Sequence, residues 1–148
     1  MTTTTQSDQL FGAEHVARYR ETGGDQGHEW RGTTTLLLTT TGRKSGEERT
    51  TPLIYQPHAD DFLIVASNGG APEPPGWYLN LRWDPNVEVQ VRGEVFEARA
   101  RTATAEEKPE LWRIMTAVWP DYDDYQRKTD REIPVVVLER ARVKAAKA

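Results

Sequence analysis

Cysteine and long apolar runs are missing from this sequence, and each absence excludes a class of protein. With no cysteine in 148 residues, disulfides, thiolate catalysis and thiolate metal sites are excluded, and the composition fits a reducing cytoplasm. Apolar runs such as residues 135–138 have the length of a strand, whereas a membrane span needs about 20 apolar residues. The first residues have neither a basic n-region nor an apolar h-region. We therefore expect a cytoplasmic protein without a secretory signal.

The chain also has no net positive charge. Its net charge is −4 and its pI is near 5.4, so it lacks the broad basic surface that binds nucleic acid. The histidines, His15, His28 and His58, form no HxxxH or HExxH pattern, so their spacing predicts no metal site. We expect neither a metal nor a nucleic-acid partner.

Alternating and β-branched segments predict an α+β fold that is mainly β. Helices are predicted over residues 8–22, 77–82, 104–118 and 121–128, and strands over 33–41, 49–56, 62–66, 87–91, 94–102 and 133–139. Because tight turns join most of the strands, the sheet of about six to seven strands should be mostly antiparallel. A closed or nearly closed barrel would hide its edges. Residues 8–140 should form one domain, with a disordered tail at 1–7 and a fraying tail at 141–148.

Local signals fix several details of these elements. In the N-terminal helix, Leu10, Ala13 and Ala17 stand at helical spacing, and the glycine pair 23–24 should end it. Its amphipathic pattern also leaves peripheral membrane contact as an alternative. Pro52 cannot donate to a sheet ladder, so it predicts a bulge or an edge strand. Thr104 and Glu107 form a capping box.

A cationic hairpin tip is the first candidate site. Arg43, Lys44 and Ser45 stand between two glycines, and Arg49 follows in the returning strand. Glycines allow a tight turn that presents backbone N–H groups, and the cations add charge-assisted hydrogen bonds. Phosphates and carboxylates are the obvious ligands. A solvated hairpin tip remains the alternative on these residues alone.

Three further segments can place chemistry beside a ligand. A buried strand delivers Ser67 and then a glycine pair, although a strand-end turn would look the same. Gly76 opens a helix whose N-terminus can bind an anion, and Trp77 beside it supplies either a flat surface or core. Further along, Trp119, Tyr122 and Tyr125 are three residues apart and can line one helical face. Tyrosine hydroxyls there could orient or protonate a substrate.

Together these segments resemble the deazaflavin-dependent nitroreductase family. The matching stretches are 36–53 (LLLTTTGRKSGEERTTPL), 65–90 (VASNGGAPEPPGWYLNLRWDPNVEVQ) and 119–139 (WPDYDDYQRKTDREIPVVVLE), and the resemblance covers about residues 11–140. Their joint presence in this order is highly specific. The resemblance implies a split β-barrel similar to FMN-binding flavoproteins, with coenzyme F-420 as the hydride carrier.

The resemblance also implies which residues form the site. Those expected to border the cofactor are Arg43, Lys44, Ser45, Arg49, Thr50, Thr51, Pro52, Leu53, Ile54, Val65, Ala66, Ser67, Asn68, Gly76, Trp77, Tyr78, Leu79, Asn80 and Tyr122. Those expected to be catalytic are Ser67, Trp119, Tyr122 and Tyr125. Trp119 replaces a tyrosine of the nitroimidazole-activating members and Ile54 replaces an aromatic residue, which weighs against nitro-prodrug activation.

The function that this resemblance implies is hydride transfer from reduced F-420 to a quinone, an activated enone or a nitro compound. Ser67 would hydrogen-bond the cofactor ring or a developing anion, and Tyr122 or solvent would supply the proton. Two alternatives stay open: an FMN- or haem-binding split-barrel protein, and a non-catalytic carrier of the deazaflavin or a fatty acid. The protein would be cytoplasmic or membrane-associated, and a monomer or a homodimer.

Overall fold

Antiparallel strands form a single sheet in the computed structural model, which describes residues 9–141. The strands are β1 (Glu29–Trp30), β2 (Thr33–Thr41), β3 (Glu48–Ile54), β4 (Gln56–His58), β5 (Asp61–Val65), β6 (Asn86–Val91), β7 (Glu94–Thr102) and β8 (Val135–Arg140). The helices are α1 (Gly12–Thr22), α2 (Gly76–Trp83), α3 (Lys108–Val118) and α4 (Asp121–Arg127), with a 3-10 turn at Asn68–Gly70. Apart from residue 141, the predicted tails at 1–7 and 141–148 lie outside the described range.

The sheet closes on itself through one bent segment. Its strand order is β1-β2-β6-β7-β8-β5-β4, and β3 pairs with β2. Tyr55, which is buried, separates β3 from β4, so one continuous stretch pairs with β2 before the bend and with β5 after it. This bend divides the predicted strand 49–56 in two. The predicted split barrel and its antiparallel pairing are confirmed.

Strands β5 and β8 are buried on both faces, which explains their unbroken apolar runs. Ile64 and Val136 point into the barrel core, whereas Leu63 and Val137 pack under α3 and α4. Successive side chains of a strand point to opposite faces. The sequence of a strand that is covered on both faces is therefore a continuous apolar run, without the alternation of apolar and polar residues. The second cluster holds α4, and therefore its tyrosines, against the barrel.

The N-terminal helix was predicted with the wrong buried face. It ends as expected at Gly23, whose φ is 62°, but its buried residues are His15, Val16 and Tyr19 rather than Ala13 and Ala17. Large side chains bury more area than alanine methyls, and the polar groups of His15 and Tyr19 find hydrogen-bond partners in the barrel. The helix thereby places a histidine at the barrel surface.

Several local predictions are confirmed. Thr104 and Glu107 exchange the two hydrogen bonds of a capping box, at 2.8 and 3.3 Å, before the regular turns of α3 begin at Lys108. Pro52 lies in β3, which pairs on one side only, with β2. The very short strands β1 and β4 were not predicted. Within residues 9–141, no helix has the length and apolar character to cross a bilayer.

Candidate active site

Two cavities adjoin on one side of the barrel. We call the first the apolar cavity. It measures about 360 Å³ and is lined by Phe11, Gly12, His15, Trp30, Thr35, Thr51, Pro52, Leu53, Ile54, Val65, Ser67, Gly69, Trp119, Tyr122 and Tyr125. We call the second the cationic cavity. It measures about 350 Å³ and is lined by Gly42, Arg43, Lys44, Ser45, Arg49, Thr51, Gly76, Trp77 and Asn80. Thr51 lines both, so the two cavities meet at β3.

Asn80 anchors one side of the cationic cavity. Its Oδ1 accepts hydrogen bonds from the backbone N–H of Arg43 at 3.2 Å and from the Arg43 guanidinium at 2.8 Å. Its Nδ2 donates to Thr40 Oγ1 at 3.2 Å. Asn80 is buried on α2, so the hairpin tip is fixed to this helix. The helix begins at Gly76, and its N-terminal N–H groups therefore border the same cavity.

The remaining cations of this cavity are available to a ligand. Within the described residues Lys44 has no hydrogen-bond or ion-pair partner. Arg49 makes only a 4.0 Å contact with Glu47, and both side chains are mostly exposed. An exposed ion pair of this kind contributes little stability. Ser45 Oγ accepts from the Glu47 N–H at 3.1 Å, which leaves its hydroxyl proton free to donate. The cavity therefore suits a phosphate or carboxylate.

An aromatic wall covers the apolar cavity, and part of it comes from the N-terminal segment. Trp30 stacks on Trp119 with ring centroids 6.0 Å apart and planes 26° apart. The Trp30 indole N–H donates to the Leu10 carbonyl at 3.0 Å, and Phe11 contacts Trp30 edge-on. Sequence reasoning missed Trp30, because a two-residue strand has no periodicity to reveal it. Flat aromatic rings on a cavity wall suit a flat ligand.

Tyr122 presents an unpaired hydroxyl to the apolar cavity. Its side chain is only 5% exposed, its ring packs on Trp112 and Tyr125, and its hydroxyl has no hydrogen-bond partner within the described residues. Burial, with a smaller effect of Tyr125, raises the pKa of Tyr122. The phenol is therefore neutral at physiological pH and can donate to a ligand. Trp119 also lines the cavity, but it lies beyond the end of α3 rather than on the α4 face.

Arg131 holds the loop that carries Ser67. Its guanidinium donates to the carbonyls of Ser67 at 2.8 Å, Ala71 at 3.0 Å and Ala66 at 3.4 Å. Hydrogen bonds from a charged donor to buried carbonyls are among the stronger ones in proteins. Arg131 was not among the predicted site residues, since no local signal links it to a loop about 60 positions earlier.

The same loop packs tightly against α4. A Cβ atom on Gly70 would lie 2.7 Å from the Tyr125 carbonyl oxygen, and Gly70 has a φ of 85°. Glycine is therefore required here both by its backbone conformation and by the close approach. This contact sets the distance between the Ser67 loop and the tyrosines of α4.

The structure brings most of the predicted site residues together. Those on the apolar cavity are Thr51, Pro52, Leu53, Ile54, Val65, Ser67, Trp119, Tyr122 and Tyr125. Those on the cationic cavity are Arg43, Lys44, Ser45, Arg49, Thr51, Gly76, Trp77 and Asn80. Thr50, Ala66, Asn68, Tyr78 and Leu79 line neither cavity.

The residues outside the cavities have other contacts. Thr50 Oγ1 bonds Thr39 at 2.8 Å and accepts from Arg20 at 3.0 Å, on the other side of β3. Tyr78 belongs to the barrel core, and its hydroxyl bonds Thr102 at 2.8 Å. Within the described residues, no group of three or more His, Asp or Glu side chains could hold a metal ion.

A split barrel with a cavity for a flat ring beside a cationic cavity is the arrangement of a flavin- or deazaflavin-type oxidoreductase. Residues 12–140 match the sequence profile of the F-420H(2)-dependent quinone reductases, and the chain belongs to that family. An F-420H(2)-dependent quinone reductase of Mycobacterium tuberculosis is 44% identical over 130 residues, which are 85% of this chain and 87% of the relative.

Solved structures agree with this assignment. An F-420-H2 dependent reductase, FDR-A, is 40% identical with a TM-score of 0.66, over 71% of this chain and 93% of its own. A domain-swapped dimer is 37% identical with a TM-score of 0.70, over 85% of this chain and 92% of its own. The family resemblance expected from the sequence is thus confirmed at the level of fold and reductase family.

Proposed function

We propose that the protein reduces quinones with reduced coenzyme F-420, and that the cofactor spans the two cavities. The observation that carries this proposal is the junction of an aromatic, apolar cavity with a cationic one at Thr51. A deazaflavin with an anionic phosphate and glutamate arm has the same division into a flat apolar part and a charged part. The residues present therefore fit this cofactor.

Each part of the cofactor has residues suited to hold it. Within the described residues, Lys44 and Ser45 offer unpaired donors for the anionic arm, and Arg49 has a long exposed contact with Glu47. Arg43 is already oriented by Asn80. Strand β3 and Ser67 would border the ring. Preorganised donors bind more strongly than mobile ones, because less entropy is lost on binding.

The bound coenzyme supplies the hydride, and the protein supplies orientation, exclusion of water and a proton donor. Trp30 and Trp119 cover the cavity and limit the access of solvent. The Tyr122 hydroxyl, which has no partner in the part of the chain that the structure describes, donates a hydrogen bond to an oxygen of the quinone. Hydride transfer needs no further acid–base pair.

A quinone is the acceptor that this site and the relatives favour. The Mycobacterium tuberculosis relative is named as a quinone reductase. A quinone is a flat carbonyl compound, and it suits a cavity with aromatic walls and hydroxyl donors. Activated enones and nitro compounds share that shape and are further acceptors.

One relative is a domain-swapped dimer, so a homodimer is the assembly we propose. Membrane contact through α1 and a cytoplasmic location remain predictions.

Steady-state oxidation of F-420H2 by menadione tests this function. We expect turnover that depends on both the protein and the quinone. Tight binding of the cofactor with no turnover, across a panel of quinones and enones, would instead establish a carrier. A flavin or Soret absorption band in the purified protein would favour the FMN- or haem-binding alternative.

Replacing Tyr122 with phenylalanine should lower kcat/KM for menadione on the order of tenfold, because the donor to the acceptor oxygen is lost. Stability should hardly change, since the hydroxyl has no partner among residues 9–141. Tyr19→Phe is the matched control. Tyr19 itself lines neither cavity, and its hydroxyl donates to the Thr35 carbonyl at 2.9 Å and accepts from the Arg92 backbone N–H at 2.9 Å, so that variant should lose stability but keep kcat/KM. Equal kinetics for Tyr122→Phe and the wild type would remove Tyr122 from the mechanism.

Replacing Arg131 with glutamine should disorder the Ser67 loop. Three carbonyl contacts are lost or weakened, so we expect a loss of about 1–3 kcal/mol in unfolding free energy and a lower kcat/KM for menadione. Arg127→Gln is the control, because Arg127 is exposed on α4 and, among the described residues, pairs only with Asp124. Thermal unfolding and steady-state kinetics measure both effects. An Arg131→Gln protein as stable and active as the control contradicts this positioning role.

A further inference from the structure

A buried histidine lies in the wall of the apolar cavity, and its hydrogen bonds define its tautomer. His15 Nε2 lies 2.9 Å from the Gly27 carbonyl oxygen. A carbonyl oxygen can only accept, so Nε2 must carry the proton. Thr35 Oγ1 donates to the same carbonyl oxygen at 2.6 Å. A carbonyl oxygen has two lone pairs, so it can accept from both Thr35 and His15 Nε2. In the neutral ring, Nδ1 is then a bare acceptor.

The Nδ1 atom of His15 has no partner within the described residues. The side chain is 2% exposed, and the residue lines the apolar cavity. Burial lowers the pKa of His15, with a smaller opposing effect of the Gly27 hydrogen bond, so the ring is neutral near pH 7. A Cβ on Gly27 would lie 3.0 Å from His15 Cδ2, so Gly27 packs closely against the imidazole ring and restricts its position.

His15 differs in kind from the other polar groups of this cavity. Ser67, Thr51, Tyr122 and Tyr125 are all hydroxyls that can donate to a ligand oxygen. Neutral His15 can only accept at Nδ1. An acceptor without an internal partner in a mainly apolar cavity gains from a ligand that brings an O–H or N–H group, because few other donors can reach it there.

We propose that His15 is a specificity-determining residue that accepts a hydrogen bond from a hydroxyl on the aromatic ring of the bound ligand. This inference rests on the proposed function in one respect: it takes the quinone to bind in the apolar cavity. Reduction of a quinone by one hydride and one proton turns two carbonyls into two hydroxyls, so the hydroquinone, unlike the quinone, can donate to Nδ1. His15 takes part in no bond change, and the site favours phenols and hydroquinones over ligands that only accept.

Competitive inhibition by naphthol and by its methyl ether tests this assignment, because the two molecules share the ring and differ in the donor. With menadione as the varied substrate near neutral pH, we expect naphthol to inhibit the wild type about five- to tenfold more tightly than the ether, the range for one hydrogen bond. In His15→Leu, whose side chain cannot accept a hydrogen bond, the ratio should fall to about twofold or less. His58→Leu is the matched control, since His58 is exposed on β4 and lines neither cavity, and its ratio should equal that of the wild type.

Two results overturn the inference while leaving the proposed function intact. One is a wild-type enzyme that reduces menadione but binds naphthol and its ether equally. The other is an unchanged ratio in His15→Leu. The nitrogen-15 NMR shifts of His15 give a readout independent of activity: we expect a protonated Nε2 and a bare Nδ1, and the opposite tautomer would also overturn it. Failure of menadione turnover in the wild type, by contrast, counts against the proposed function itself.

Discussion

Replacing both Lys44 and Arg49 with alanine is expected to weaken binding of coenzyme F-420 on the order of tenfold per cation, since each removes a charge-assisted hydrogen bond. Neither side chain supports the fold as far as residues 9–141 show: Lys44 has no partner there, and Arg49 makes only a long exposed contact with Glu47. The thermal unfolding temperature should therefore stay close to that of the wild type. Titration followed by tryptophan fluorescence measures the affinity, because Trp77 lines the cationic cavity and Trp119 the apolar cavity.

A control for charge alone is available on the helices. Arg113 and Arg127 are exposed on α3 and α4 and line neither cavity, so replacing both with alanine removes the same net charge. That variant should bind the cofactor like the wild type. Wild-type affinity should also fall as salt screens the cationic cavity, and less so in the Lys44 and Arg49 variant. Equal affinity in the two double variants would reject the cationic cavity as the site of the anionic arm.

Replacing Gly70 with alanine should damage both stability and activity. The new Cβ would lie 2.7 Å from the Tyr125 carbonyl oxygen, and φ is 85°, so overpacking and backbone strain together should cost about 3 kcal/mol. To relieve the overlap, either the Ser67 loop or α4 must move. Because Ser67 and Tyr122 both line the apolar cavity, a shift of either one changes its shape, and we expect kcat/KM for menadione to fall by about tenfold or more.

Gly69 provides the matched control for this substitution. It is the neighbouring glycine with a φ of 64°, but a Cβ there would meet nothing within 4 Å. Gly69→Ala should therefore cost only the left-handed backbone conformation, about 1 kcal/mol. Denaturant unfolding compares the stability of the two variants, whereas the kinetics of Gly70→Ala are compared with those of the wild type, because Gly69 itself lines the apolar cavity. If both alanine variants lose the same stability, the close contact with α4 is unimportant and only the backbone conformation matters.

The sequence was informative about the fold wherever one short segment contained the whole signal. The alternation of Val87 and Val89 predicted β6, and the capping box at Thr104 predicted the start of α3. The bend at Tyr55 could not be predicted, because it depends on which strands lie at the two ends of the sheet. The buried face of α1 was wrong for a related reason: burial of His15 and Tyr19 depends on partners in the barrel.

The candidate site follows the same pattern. The hairpin with Lys44 and the tyrosines of α4 are compact motifs, so residue chemistry and family resemblance found them. Trp30, His15 and Arg131 reach the site from distant parts of the chain, and no local pattern links them to it. Trp30 covers the apolar cavity, His15 adds a hydrogen-bond acceptor to its wall, and Arg131 holds the Ser67 loop. Only their contacts in the folded structure identify them as residues of the site.

A crystal structure of the protein with coenzyme F-420 tests the central claim most directly. We predict the anionic arm beside Lys44 and Arg49 and the deazaflavin ring in the apolar cavity, with the two parts joined past Thr51. Cofactor bound at any other surface, or a ring with its arm directed away from the cationic hairpin, would contradict the account.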